Sequence, residues 1–255
     1  MVRQEKHSRL LKTKRNDIQK PQLQNAVVGA FVREDSFCFS MKKSILCPVA
    51  FLFVYDSIFY SPYMFTGIIK AKGHIIHSHK KGGSLFLDIK KPAGWKIAPG
   101  DSIATDGVCL TVAHVARTAY SCELMPETLA KTSFGQSVPA YVNLEQALHV
   151  SDKLDGHFVL GHVDAIGTIK SIQSNSAGTV YVISFPIKFN HLVVEKGSIT
   201  VDGVGLTVVD VARDEFSVAL VSYTLTHTTL ADKSKGDFVN LEFDILAKYI
   251  TKRLS

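Results

Sequence analysis

Three side chains in this sequence can carry proton transfer or nucleophilic chemistry, and each also has a structural interpretation. Cys109 lies in an apolar, strand-like run, where its thiol either contacts a ligand or acts as a small buried hydrophobe. His162 can shuttle protons near neutral pH or make a structural hydrogen bond that links two domains. Asp244 can act as a carboxylate or cap a helix that begins at Ile245, and these two roles are compatible.

A duplicated segment positions these residues. The run Ser102–Val112 (SIATDGVCLTV) returns as Ser198–Val208 (SITVDGVGLTV), with eight of the eleven positions identical. Val142–Glu145 (VNLE) returns as Val239–Glu242, and the separation between matching residues drifts only from 94 to 97. A repeat this long is far larger than a solenoid unit, so each copy should own a hydrophobic core. The sequence therefore predicts one domain, duplicated.

Short strands are the main elements within each copy. Leu85, Leu87 and Ile89 alternate with Phe86 and Asp88, which is the period of a half-buried strand. Val180, Val182 and Ser184 alternate likewise with Tyr181 and Ile183. Turn sequences such as Asp106-Gly107 and Asp202-Gly203 separate the runs. This pattern predicts a mainly β protein with a small antiparallel barrel in each copy. We expect few helices, one over Pro186–Glu195 and one from Ile245 to the end of the chain.

Composition and charge exclude several functions. The four cysteines form no CxxC pair, so we expect no metal site, no disulfide framework and a reduced, cytoplasmic setting. The net charge is +6, but residues 1–63 hold ten Lys/Arg against five Asp/Glu. Residues 64–255 are therefore close to neutral, and a nucleic-acid-binding surface, which would be basic, is not expected there. The apolar run Ile45–Tyr55 is too short to span a membrane. Residues 1–63 have no clear period and are interpreted as an over-long translation or an accessory tail, with a targeting peptide as the alternative.

Three motifs resemble the riboflavin synthase α-chain family over residues 64 to about 250. They are Met64–Ile68 (MFTGI), Asp106–Val112 (DGVCLTV) and Gly156–Val163 (GHFVLGHV). The resemblance implies two tandem homologous six-stranded antiparallel β-barrels plus a C-terminal helix. The expected boundaries are 1–63 for an N-terminal extension, 64–160 and 161–243 for two lumazine-binding barrels, and 244–255 for the helix.

The same resemblance implies the reaction. One molecule of 6,7-dimethyl-8-ribityllumazine passes a four-carbon unit to a second, which gives riboflavin and 5-amino-6-(ribitylamino)uracil, with no cofactor. It also implies a homotrimer around the C-terminal helix, with each active site between the first barrel of one subunit and the second barrel of a neighbour. Association with lumazine synthase is a further expectation. The alternatives are a non-catalytic lumazine- or flavin-binding protein on the same fold, and a generic barrel that binds protein or nucleic acid.

Carried over to this chain, the resemblance makes Cys109, His162 and Asp244 the expected catalytic residues, with His157 more structural. The expected substrate-binding residues of the first barrel are Gly67, Ile68, Ile69, Ser102, Cys109, Leu110, Thr111, Glu123, Leu124, Met125, Pro126, Glu127 and Thr128. Those of the second barrel are Gly161, His162, Val163, Lys196, Gly205, Leu206, Thr207, Val221, Ser222, Tyr223, Thr224, Leu225 and Thr226. The chain departs from the family at Gly205, where serine is usual, and at Ser222-Tyr223, where Pro-Glu is usual.

Overall fold

The computed structural model describes residues 64–175 and 178–254, so the predicted extension over residues 1–63 lies outside the described residues. The strands of the first copy are β1 (Ala71–Lys81), β2 (Ser84–Lys90), β3 (Ser102–Thr105), β4 (Val108–Val115), β5 (Ala119–Leu124) and β6 (Tyr141–Gln146). Between β5 and β6 lie the short helix α1 (Pro126–Lys131) and a 3₁₀ turn, Ser133–Gly135.

The second copy repeats this order. Its strands are β7 (Ala165–Asn175), β8 (Gly178–Ser184), β9 (Ser198–Val201), β10 (Val204–Val211), β11 (Glu215–Leu220) and β12 (Phe238–Phe243). The helix α2 (Ser222–His227) and the 3₁₀ turn Thr229–Asp232 lie between β11 and β12, and α3 (Ile245–Leu254) ends the described chain.

Each copy closes into a six-stranded antiparallel barrel, as predicted. The strand order is β1-β2-β5-β4-β3-β6 in the first barrel and β7-β8-β11-β10-β9-β12 in the second. Closure pairs β1 with β6 and β7 with β12, which removes the unpaired edges that short strands would otherwise expose. The bulge in β1 between Ile75 and His77 recurs in β7 between Ile169 and Ser171, so even the irregularities are duplicated.

Each barrel has its own core. The alternation predicted over β2 is confirmed, because Leu85, Leu87 and Ile89 are buried with the apolar residues of the first barrel. In β8, Tyr181 and Ile183 are buried in a separate cluster that belongs to the second barrel.

The two expected helices have different outcomes. Ile245–Leu254 is helical, and Oδ1 of Asp244 accepts a hydrogen bond from the Leu246 N–H at 2.9 Å, so the predicted cap is confirmed. The helix expected over Pro186–Glu195 is instead a 3₁₀ helix, Ile187–Leu192. Leu192 and Val193 are consecutive in the sequence, and both are buried. A 3₁₀ turn that ends at Leu192, followed by the extended residue Val193, allows both side chains to be buried. Within residues 64–175 and 178–254, no helix is long and apolar enough to cross a membrane.

Two matching hairpin turns meet between the barrels. Asp106 and Gly107 have φ of 43° and 78°, and Asp202 and Gly203 have φ of 46° and 80°. Two successive positive φ values are the signature of a type I′ turn. A Cβ on Gly107 would lie 2.7 Å from the Gly203 nitrogen, and one on Gly203 would lie 2.8 Å from the Gly107 nitrogen. The reciprocal distances show an approximate twofold axis between the turns.

Two asparagines cross this axis in the same reciprocal way. The Asn143 side chain donates to the carbonyl oxygen of Asp202 at 2.9 Å, and the Asn240 side chain donates to that of Asp106 at 2.8 Å. Both asparagines are buried, so a lost partner would leave an unsatisfied polar group. These bonds fix the orientation of one barrel on the other.

The buried carboxyl of Asp106 makes stability depend on pH. Burial and the neighbouring Asp202 charge raise its pKa well above the usual value, although the Lys233 ammonium, 3.0 Å from Asp202, opposes this. A carboxyl whose pKa is raised in the folded state stabilises the fold at low pH and ceases to do so as pH rises through the folded pKa. We therefore expect Asp106→Asn to melt increasingly above the wild-type chain as pH rises above 3.8, the ordinary pKa of an aspartate. The melting temperature of each chain is measured against pH, and Asp214→Asn, which changes an exposed aspartate, is the control. Parallel curves for Asp106→Asn and the wild-type chain would contradict this expectation.

Candidate active site

A cleft of about 280 Å³ lies at one end of the first barrel, beside the start of β4 and helix α1. Its lining residues are Val108, Cys109, Glu127, Thr128, Lys131, Thr132, Gly161, His162 and Val163. The cleft, called the first cleft below, therefore joins the first barrel to the segment that opens the second copy. It brings the predicted catalytic residues Cys109 and His162 to one wall.

Backbone contact between Gly161 and Cys109 closes this wall. The Cys109 N–H donates to the Gly161 carbonyl oxygen at 2.9 Å. Gly161 has φ of +74°, and a Cβ added there would lie 2.6 Å from the Cys109 Cβ. Real Cβ atoms do not approach so closely, and a positive φ is itself strained for other residues. Only glycine fits, and His162 follows it directly in the lining of the first cleft.

Buried carboxylates hold the opening segment of each copy. Glu242 accepts hydrogen bonds from the backbone N–H groups of Leu160, Gly161 and His162 at 2.7, 2.9 and 3.1 Å. Glu145 does the same for its own copy, accepting from the Thr66 N–H and hydroxyl and from the Gly67 N–H. Burial raises the pKa of both carboxyl groups, while these hydrogen bonds lower it.

The thiol of Cys109 is held in its neutral form. Burial raises its pKa, the neighbouring Ser102 hydroxyl lowers it, and the charge of Glu242 raises it further. The shift is upward, so at neutral pH the sulfur is a weak hydrogen-bond donor rather than a thiolate. This favours a polar contact with a ligand over nucleophilic attack.

A second cleft, of about 390 Å³, lies at the matching place on the second barrel. Its lining residues are Ile68, Ile69, Lys70, Ala71, Lys72, Tyr223, Thr226 and His227. The Tyr223 and His227 rings stack there with centroids 3.9 Å apart. The Gly205 N–H donates to the Gly67 carbonyl oxygen at 2.8 Å, which repeats the contact between Cys109 and Gly161.

The opening segments are therefore exchanged between the barrels, in contrast to the grouping predicted from sequence. Residues 67–69 line the second cleft and residues 161–163 line the first, whereas each segment was expected beside its own barrel. The two segments also pair with each other, since Phe65 and Val159 form an antiparallel bridge with N–H to oxygen distances of 2.7 and 3.1 Å. Beyond this bridge the Gly67 carbonyl meets Gly205 of the second barrel and the Gly161 carbonyl meets Cys109 of the first.

His157 and Asp244 lie on the second barrel. The Nε2 atom of His157 is 3.2 Å from the Thr200 hydroxyl, and a Cβ on Gly205 would lie 3.2 Å from its Nδ1. Burial lowers the pKa of His157, and the charge of Asp244 partly reverses this. Asp244 lines neither cleft. The charge of Asp244 acts on His157, and the structure does not bring Asp244 into the first cleft with Cys109 and His162.

Comparison with known proteins agrees with this duplicated site. A model described as the lumazine binding domain matches residues 66–147 and again residues 160–244. Riboflavin synthase of Actinobacillus pleuropneumoniae is 40% identical over 193 residues, which cover 75% of this chain and 90% of that protein. The chain belongs to the riboflavin synthase family. Riboflavin synthases of Photobacterium phosphoreum and Bacillus subtilis are 41% and 37% identical, covering 89% and 90% of those proteins.

A solved structure shares the fold of this riboflavin synthase family member. The crystal structure of LumP complexed with riboflavin superposes with a TM-score of 0.66, at 20% sequence identity, and the match covers 71% of this chain and 99% of LumP. LumP complexed with 6,7-dimethyl-8-(1'-D-ribityl) lumazine gives a TM-score of 0.64 at 21% identity. At this identity the likeness concerns the double-barrel fold alone.

Some of the expected binding residues line a cleft, and others are buried or lie elsewhere. The first cleft includes Cys109, Glu127, Thr128, Gly161, His162 and Val163, and the second includes Ile68, Ile69, Tyr223 and Thr226. Leu110 and Leu124 are buried in the first core, and Leu206 and Leu225 pack on the second. Gly67 and Gly205 make the backbone contact beneath the second cleft, and Ser102 lies beside the Cys109 thiol. The other expected residues line neither cleft: Thr111, Glu123, Met125, Pro126, Lys196, Thr207, Val221, Ser222 and Thr224.

Sequence reasoning missed the carboxylates Glu145 and Glu242 as site residues. Each of them is the last residue of the repeated Val-Asn-Leu-Glu motif. The signal for them is a charged residue that recurs at the end of two predicted core strands. A buried charge needs hydrogen-bond or ionic partners, so such a residue indicates a polar contact inside the fold.

Proposed function

We propose that this chain converts two molecules of 6,7-dimethyl-8-ribityllumazine into riboflavin and 5-amino-6-(ribitylamino)uracil. One lumazine loses a proton from its C7 methyl group, and the resulting carbanion attacks the other lumazine. A four-carbon unit then passes between them. The observation that carries the proposal is the pair of clefts at matching places on two barrels, in a chain of the riboflavin synthase family. Two like clefts suit a reaction between two copies of one substrate.

The first cleft supplies the polar groups. Cys109 offers a neutral thiol for a polar contact with the bound lumazine, and His162 is the proton carrier. Glu242 fixes the His162 backbone through its hydrogen bond to the His162 N–H. Such fixed placement is how a site without a cofactor gains most of its rate. The bare backbone at Gly161 gives a flat bicyclic ring room to lie against the wall.

The reacting pair is completed between subunits of a homotrimer. The two clefts belong to different barrels, and we infer that the first cleft of one chain faces the second cleft of a neighbouring chain. Helix α3 carries an exposed apolar set for this assembly, namely Leu246, Tyr249, Ile250 and Leu254. Burial of such a stripe against its counterparts in a helix bundle stabilises the oligomer. Asp244, at the start of α3, is then the carboxylate of the second half-site.

Turnover by the full-length chain tests the function. The purified chain is incubated with the ribityllumazine and a metal chelator, and riboflavin is followed by fluorescence. We expect one riboflavin and one pyrimidinedione for every two lumazines consumed. Tight binding of lumazine or riboflavin without turnover would instead indicate a non-catalytic carrier on this fold.

Replacement of Cys109 by alanine separates catalysis from packing. Because the thiol is a half-buried group at the cleft wall, Cys109→Ala should lower turnover at least about tenfold and leave the melting temperature within about 2 °C. Cys122→Ala, which removes a fully buried thiol from the same barrel, is the control for packing. Parallel losses of activity and stability in Cys109→Ala would assign Cys109 to the core.

A further inference from the structure

One pair of facing residues on neighbouring strands is inverted between the two barrels. In the first barrel Ala104 on β3 faces Cys109 on β4, and in the second Thr200 on β9 faces Gly205 on β10. The first barrel thus has its polar side chain on the later strand and a small residue opposite it. The second barrel has glycine on the later strand and a hydroxyl opposite it.

The space above Gly205 is occupied by the His157 ring. A Cβ at position 205 would lie 3.2 Å from Nδ1 and 3.3 Å from Cε1 of His157, so any longer side chain would run into the imidazole. The imidazole edge therefore stands where the second barrel would otherwise place a counterpart of the Cys109 side chain. The other ring nitrogen, Nε2, meets the Thr200 hydroxyl at 3.2 Å.

We propose that Thr200 is a positioning residue that supplies, from the opposite strand, the hydroxyl that Gly205 lacks, and so holds His157 as the proton-carrying group of the second half-site. The proposal rests on the function proposed above. Thr200 is only 1% exposed, and its branched side chain is restricted in χ1, so the hydroxyl has a defined direction. A hydrogen bond to one ring nitrogen selects the tautomer and leaves the other nitrogen free for a substrate proton.

The charges around the imidazole are compatible with this role. Asp244 is the charged group whose field raises the pKa of His157 against the effect of burial. A largely desolvated ring with a carboxylate nearby can accept a proton and pass it on. His157, Thr200 and Asp244 then form a polar set on the second barrel, with the His157 ring against Gly205, whose N–H makes the backbone contact with Gly67.

Three variants of the full-length chain test the role of the hydroxyl. Thr200→Val keeps the shape and removes the hydroxyl, so kcat should fall at least about tenfold with KM within about threefold. Thr200→Ser should recover most of kcat. Thr229→Val, which changes a buried threonine whose hydroxyl has no partner among the described residues, is the control for packing.

A second readout separates this proposal from the function itself. The ¹⁵N chemical shifts of the His157 ring report its tautomer whether or not the chain turns over lumazine. We expect Thr200→Val to change these shifts and Thr200→Ser to retain them. Unchanged shifts, or an unchanged kcat in Thr200→Val, would overturn the role of Thr200. A wild-type chain that makes no riboflavin would overturn the proposed function, and the ring shifts would still decide whether Thr200 sets the His157 tautomer.

Discussion

Gly161→Ala should abolish measurable turnover and destabilise the fold by about 3–5 kcal/mol. The new Cβ would lie 2.6 Å from the Cys109 Cβ and 2.8 Å from its nitrogen, and both atoms belong to a strand that cannot shift freely. The segment must therefore leave the wall of the first cleft and carry His162 with it. The expected loss corresponds to roughly 10 °C in melting temperature.

Gly94→Ala is the matched control for this substitution. Gly94 has φ of +79°, close to the +74° of Gly161, but nothing lies within 4 Å of its added Cβ. It should show only the strain of the left-handed backbone, about 1–2 kcal/mol, with turnover retained. Equal effects in the two variants would mean that the contact between Gly161 and Cys109 has no part in the site.

Glu242→Ala is the second change with a large expected effect. It removes the acceptor for three backbone N–H groups and should cost about 3–5 kcal/mol, since buried donors are left without partners. Because the same carboxylate fixes the His162 backbone, turnover should fall at least about 100-fold. Thermal melting and initial rates of riboflavin formation measure the two losses.

Glu242→Gln distinguishes hydrogen bonding from charge in this residue. Its amide oxygen can still accept from Gly161 and His162, while the NH₂ group faces the Leu160 N–H. We expect about 1–2 kcal/mol of destabilisation from this one lost acceptor and a smaller loss of turnover than in Glu242→Ala. If glutamine were as damaging as alanine, the carboxylate charge rather than its hydrogen bonds would be what the site needs.

The fold was largely predictable because its determinants are local or repeated. The duplicated Ser102–Val112 run, the alternation over β2 and the Asp-Gly turns indicate short paired strands, and closure removes the edges that such strands would expose. The cap at Asp244 needs only the neighbouring residues of α3. The segment after Pro186 was harder, because the choice between an α-helix and a 3₁₀ turn depends on burial of Leu192 and Val193 in a core that the local sequence does not reveal.

The site was less predictable because its decisive contacts join distant parts of the chain. Cys109 and His162 were found as candidates, but no local pattern shows that residues 161–163 cross to the first barrel. That placement comes together with the bridge between Phe65 and Val159, two residues that are far apart in the sequence. The contact of His157 with Thr200 was missed for the same reason, since it requires the cross-strand position of Gly205.

The number of ligands bound per chain tests the central claim most directly. A ribityllumazine with oxygen in place of the C7 methyl group has no methyl proton to lose, so it can occupy both half-sites without reacting. Equilibrium dialysis of the full-length chain against this analogue should give two molecules bound per chain, one for each barrel cleft. Saturation at one molecule per chain would contradict the pairing of two like substrates on the two barrels.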